Sequence, residues 1–184
     1  SFFLHSDGNA NTRAGNGRLT RQAPTNDEPA DRFKADPANP TPSSPVTETR
    51  PLKAGVWGPV DQRATEDRED VLVYTSEPLT EPLTFAGNIE AKLHVSTDTP
   101  DADWVVKLID VHPDGFAPHI ARGIQRGRYR RSLLKPELME PGKVYEITVD
   151  LGPAAATIAK GHRLRIDISG ADFHPRNVEA FERR

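Results

Sequence analysis

"GHRLRIDISGADFHPRN", residues 161–177, carries His162, Asp167, Ser169, Asp172 and His174 in one short run. A histidine, an acid and a serine so close together read either as a hydrolase triad or as a strand with polar ends. Spacing decides. Leu164, Ile166 and Ile168 alternate with Arg163, Arg165, Asp167 and Ser169, the period of two that marks a strand. Along a strand, His162 and Asp167 stand about 16 Å apart, at ~3.3 Å per residue, and point to opposite faces. A working histidine must hold both its serine and its acid within about 3 Å. The chain contains no G-x-S-x-G, the sharp turn that exposes a nucleophilic serine in α/β-hydrolases. The segment is therefore read as a strand over 162–169, with no catalytic residue in it. Leu164, Ile166 and Ile168 are expected inside. Arg163, Arg165, Asp167 and Ser169 are expected on a polar face, solvated or covered by another domain. His162 is expected at the strand entrance after Gly161, bonded to a neighbouring loop.

The same period runs through most of the chain after residue 70. In "GNIEAKLHVSTD" (87–98), Ile89, Ala91, Leu93 and Val95 alternate with polar residues, and "VYEITVDL" (144–151) repeats the pattern. "DVLVYTS" (70–76) and "WVVKLIDV" (104–111) are apolar on both faces, as strands covered on both sides are. "HPDG" (112–115) predicts a turn, and "IARGIQRG" (120–127) its returning partner. Trp104, which opens its strand, is expected in the core rather than as an exposed platform for sugars. Helix is expected only as single turns near Pro136–Met139 and Ala154–Ala159. Six or more evenly spaced strands with little helix predict an all-β protein, a β-sandwich of jelly-roll type.

Before residue 70 the periodicity fades. "SDGNANTRAGNG" (6–17) is turn-forming sequence, and eight prolines lie from Pro24 to Pro59. This predicts two regions: a long, irregular, extended arm over 1–69 and the sandwich over 70–184. Scattered large residues, Phe33, Leu52, Val56 and Trp57, are expected to anchor the arm, in part on a surface outside the chain. Arg63, Asp67, Arg68 and Asp70 are expected to form a charge network tying it to the first core strand.

Composition limits the functional classes. The formal charge of −3 predicts no general attraction to nucleic acid or anionic membrane. Without cysteine, disulfides and thiolate metal sites are excluded, and the compartment stays open. The six histidines, 5, 94, 112, 119, 162 and 174, show no ligand spacing. Asp98, Asp101 and Asp103 are weak calcium candidates, and no metal or other cofactor is expected. "RGRYRR" (126–131) carries the groups that grip phosphate backbones, but in this acidic chain its arginines are expected to pair with carboxylates.

Several segments together resemble one family. "DRFKADPANPTP" (31–42), "DQRATEDREDVLVYTSEPL" (61–79), "FAGNIEAKLHVSTDTPDADWVVKLIDVHPDG" (85–115), "RGIQRGRYRRS" (122–132), "PGKVYEITVDL" (141–151) and "KGHRLRIDISGADF" (160–173) are similar, in that order, to the C-terminal domain of Xaa-Pro dipeptidyl-peptidase and cocaine-esterase-like (CocE/NonD) serine hydrolases. The resemblance implies a jelly-roll sandwich related to galactose-binding domains. It also implies that the serine, aspartate and histidine of the triad lie upstream, in an α/β-hydrolase domain, so none is carried over here. That hydrolase domain is the expected partner, and the resemblance also suggests homo-oligomer contacts. Family members run on past the equivalent of "ISGADF" to a closing strand, whereas this chain stops at "NVEAFERR". It therefore reads as a piece of a larger protein, with an edge strand missing. The loop "PTPSSPVTETRP" (40–51) also lacks the glycines expected there.

The leading functional reading is an accessory domain that shapes a hydrolase cleft and stabilises or oligomerises the enzyme. The alternative is a stand-alone carbohydrate-binding jelly-roll module, which needs exposed aromatics on one face. With two tryptophans and three tyrosines, mostly at core-like positions, that reading is the weaker.

Overall fold

The computed structural model describes residues 1–43 and 60–173. Trp57, Val56, Leu52, His174 and the terminal "NVEAFERR" lie outside the described residues, and so does most of the loop 40–51.

The described chain is almost entirely β. Its elements are β1 (Phe3–His5), β2 (Arg18–Thr20), α1 (Arg63–Glu66), β3 (Val71–Thr75), β4 (Leu83–Val95), β5 (Asp103–Val111), β6 (His119–Arg126), β7 (Tyr145–Ile158) and β8 (Arg163–Ser169). One sheet has the order β1-β2-β3-β8-β5-β6, and β4 and β7 form a second, two-stranded sheet. The two enclose one apolar core. Leu72 and Tyr74 of β3, Trp104, Val106 and Leu108 of β5 and Leu164 and Ile168 of β8 face Leu93 of β4 and Ile147, Val149 and Leu151 of β7. The positions on β4, β7 and β8 follow the alternation legible in the sequence, whereas those on β3 and β5 lie in runs that are apolar on both faces. Trp104 is buried, 5% exposed. The sheets approach closely where β6 passes β7. A Cβ on Gly123 would lie 2.1 Å from the backbone oxygen of Asp150, so no larger residue fits there without moving β7.

The "HPDG" turn forms as expected. His112 donates its backbone N–H to the carbonyl of Phe116 at 2.8 Å and Gly115 donates to His112 at 2.9 Å, delivering β6 antiparallel to β5.

Both expected helical turns are absent from the described structure. Ala154–Ile158 continues β7, with Ala154, Ala155 and Ala156 opposite Gly87, Ala86 and Phe85. Alanine's helix preference is worth only tenths of a kcal/mol per residue, which a cross-strand ladder overrides. Around Pro136–Met139 the chain is irregular, pinned by a bond from the Met139 N–H to the Pro100 carbonyl at 2.7 Å. The α-helical turn sits instead at Arg63–Glu66.

The N-terminal arm is largely irregular, yet two short pieces of it join the sheet of their own chain. β2 runs parallel to β3. The N–H groups of Val73 and Thr75 bond to the carbonyls of Ala10 and Gly17 at 2.8 and 3.2 Å. Asp31 fastens the rest, accepting bonds from Ser6 Oγ at 2.6 Å, the Ala10 N–H at 2.8 Å and the Tyr74 hydroxyl at 2.7 Å. Much of the arm's docking surface thus lies within the chain.

Candidate functional site

The polar face of β8 is where a triad would have to form. Pairing places Asp167 between Val73 and Lys107, Arg165 between Thr75 and Ile109, and Ser169 between Val71 and Val105. This row was expected to be solvated or covered by another domain. Instead the chain covers it. Arg165, Asp167 and Ser169 are 9%, 3% and 4% exposed, because the turn of α1 lays Gln62 and Glu66 over them. Glu66 Oε2 accepts a short bond from Arg165 Nη1, and Gln62 Oε1 accepts one from Lys107 Nζ at 3.1 Å. Lys107 also bonds to the Ser43 carbonyl and reaches Asp172, each at 3.1 Å. Asp172 in turn takes Arg122 at 2.8 Å.

Neither oxygen of Asp167 has a hydrogen-bond partner. Burial pushes its carboxyl well above the usual carboxylate range, and the Glu66 charge adds to this against Arg165 and Lys107. Burial likewise raises Glu66, opposed by Arg165.

Ser169 Oγ donates to the Ala171 carbonyl at 2.9 Å. His162 turns away from that face, so the opening residues do not assemble into a triad. Its Nδ1 bonds to Asp110 Oδ1 at 2.8 Å, and the partner is therefore a residue of strand β5 rather than a loop. Asp110 also stands 3.6 Å from Nε2 of His112. The two imidazoles stack with centroids 4.3 Å apart and 39° between planes, and Phe116 meets His112 edge-on at 5.2 Å. A ligand atom from each of Asp110, His112 and His162 lies within 4.8 Å of the others. The histidine spacing in the sequence concealed this group, since 112 and 162 meet only once β5 and β8 are neighbours.

A second hidden arrangement lies in the arm. His5 Nδ1 bonds to Glu28 Oε1 at 2.6 Å, and Thr20 Oγ1 lies 3.1 Å from His5 Nε2, beside an open groove of about 460 Å³. This resembles a threonine, histidine and acid triad. It cannot act as one, because His5 Nε2 faces the Gln22 carbonyl at 2.9 Å and must donate its proton there. The Glu28 bond first, then the Gln22 carbonyl, raise the imidazole above its ordinary value. A histidine with both N–H groups donated is no base.

Two of the three calcium candidates are met by arginines. Asp101 accepts Arg128 Nε at 2.6 Å, the Arg128 N–H at 2.8 Å and Arg126 Nε at 2.9 Å. Burial pushes Asp101 up, but the bonds from Arg128 and the charges of Arg128 and Arg126 together hold it below the usual range. Asp103 lies 3.4 Å from Arg126, Asp98 is exposed, and the three do not converge. Those contacts also occupy the "RGRYRR" arginines, and Arg130 lies over the Tyr145 ring at 4.5 Å.

The other sequence candidates fall into separate pairs rather than one network. Arg63 pairs with Asp61 at 2.6 Å, Asp67 with Arg13 of the arm, and Arg68 with Asp70 at 2.7 Å. Asp70 also accepts Thr41 Oγ1 and Arg68 donates to the Asn39 carbonyl, both at 2.8 Å, so this pair too grips the arm.

The described residues thus make an all-β sandwich in which Ser169, His162 and Asp167 form no triad. The model of the X-Pro dipeptidyl-peptidase C-terminal non-catalytic domain matches residues 1–178, and the chain belongs to that family. It is 40% identical over 172 residues to cocaine esterase of Rhodococcus sp. (strain MB1 Bresler), covering 94% of this chain and 29% of that protein. An α-amino acid ester hydrolase superposes with TM-score 0.80 at 32% identity, over 94% of this chain and 28% of the other. An aminopeptidase from a marine sediment archaeon, Thaumarchaeota archaeon, does so with TM-score 0.79 at 33% identity, over 94% and 30%. The chain thus spans less than a third of each of these relatives.

Proposed function

We propose that this domain serves a serine hydrolase acting on esters, amides or Xaa-Pro peptides, as a jelly-roll support that walls part of the substrate cleft and stabilises the enzyme. The family match over residues 1–178 carries this reading. In the enzyme, an α/β-hydrolase domain supplies serine, histidine and acid for acyl-enzyme chemistry, and residues 1–69 lead from it into the sandwich. Arg63, Asp67, Arg68 and Asp70 act as structural anchors, an assignment supported for Asp67, Arg68 and Asp70 by their bonds to Arg13, Asn39 and Thr41, and for Arg63 by its pairing with Asp61. Among the described residues β4 pairs with β7 alone. Its other edge is suited to strand pairing between copies.

The test is an α/β-hydrolase domain fused ahead of Ser1, assayed with p-nitrophenyl butyrate with and without residues 1–184. The expected result on removal is a fall in both melting temperature and kcat/KM. Unchanged values of both would overturn the supporting role.

A further inference from the structure

Asp110, His112 and His162 bring three possible metal donors together outside the residues used above as anchors. The three are held from several directions. Asp110 lies on β5 opposite Leu164 of β8, two positions beyond the buried Leu108. His112 is fixed by the "HPDG" turn and by the edge of Phe116. His162 is fixed by its own backbone bond to the Ala159 carbonyl at 3.2 Å. The side chains remain reachable: Asp110 and His162 are 16% and 17% exposed, and His112 is 34% exposed.

Two imidazole nitrogens and one carboxylate are the donors that zinc takes at about 2.0–2.2 Å. Ligand atoms on a tetrahedron of that size stand about 3.4 Å apart. Asp110 Oδ1 stands 2.8 Å from His162 Nδ1 and its Oδ2 3.6 Å from His112 Nε2, and one ligand atom from each residue lies within 4.8 Å of the others, so an ion enters once the donors draw together by up to about 1.4 Å. The two imidazole nitrogens face the same carboxylate, whose two oxygens serve one ring each. Hard-oxygen ions are poorly matched to a site with two imidazoles, whereas zinc, copper and nickel suit it.

We propose that Asp110, His112 and His162 form a divalent metal site of the zinc class, with three protein ligands and the remaining position open to solvent. The open position gives the ion room for water or for a ligand group from a neighbouring chain.

The experiment is calorimetric titration of the full chain, free of any histidine tag, with Zn²⁺ in a non-chelating buffer. Nitrogen-15 spectra of the imidazoles and Co²⁺ absorbance are recorded in parallel. The expected result is one ion per chain, with His112 and His162 resonances shifting and a cobalt band of low-coordinate type. Loss of an outer-shell partner alone costs about 10–100-fold in metal affinity, so His112→Ala should weaken binding at least that much. His112→Gln serves as a second variant should the alanine form misfold. His94→Ala, at a surface histidine beside Glu146, should bind as the unaltered chain does. Absent binding, unaltered affinity in both His112 variants, or loss in His94→Ala would each overturn the site and leave a structural histidine–aspartate pair.

Discussion

Asp167 lies under α1 with both oxygens unbonded, and its chemistry sets a pH dependence. The folded chain raises its pKa above the unfolded value of about 3.9. Below that value both states hold the proton and the stability it confers is complete. As pH rises toward the folded pKa, the unfolded chain releases the proton first and the folded state loses ground, by about 1.4 kcal/mol per unit of displacement. An asparagine at this position cannot ionise. Asp167→Asn should therefore equal the unaltered chain near pH 4 and match or exceed it at pH 7, read from urea midpoints at both. A larger loss at pH 7 than near pH 4 would show that the folded chain uses the ionised carboxylate. Where Asp167 points was legible from alternation. What covers it was not, since "DQRATE" (61–66) looks like surface sequence until Gln62 and Glu66 are seen bonded to Lys107 and Arg165.

Strand β8 was readable almost to the residue because burial on one face of a pleated sheet imposes a period of two, and β3 and β5 because strands covered on both faces read as short continuous apolar runs. The long β7 was readable only to Leu151, since its remaining stretch is alanine-rich and takes its form from β4 opposite. The arm defied reading for a related reason: its strands are three residues each, too short for any period, and Asp31 organises it through contacts remote in sequence. Asp31→Ala strips partners from Ser6, Ala10 and Tyr74. Hydrogen bonds to charged groups contribute about 1.5–3 kcal/mol, so we expect a loss of roughly that size. Amide exchange at Val73 and Thr75, whose N–H groups bond to the arm, should quicken with it. Unchanged exchange there would mean that the arm is held by other contacts.

Over the molecule as a whole, the sequence disclosed the sandwich and the lack of a nucleophile elbow, while every pairing between distant segments waited on strand order. The Asp110 group is one such pairing, and the close approach of Gly123 to β7 is another. The chain's chemistry is consistent across these scales. Its charged side chains are used to close the polar face of the sheet and bind the arm, leaving Ser169 bonded to a backbone carbonyl. In the proposed role, the domain supports a hydrolase without itself carrying out catalysis. Labelling the purified chain with a fluorophosphonate serine probe, alongside hydrolysis of a p-nitrophenyl ester, tests this most directly. We predict no label and no hydrolysis above buffer. Labelling of Ser169, with hydrolysis abolished by Ser169→Ala, would contradict it.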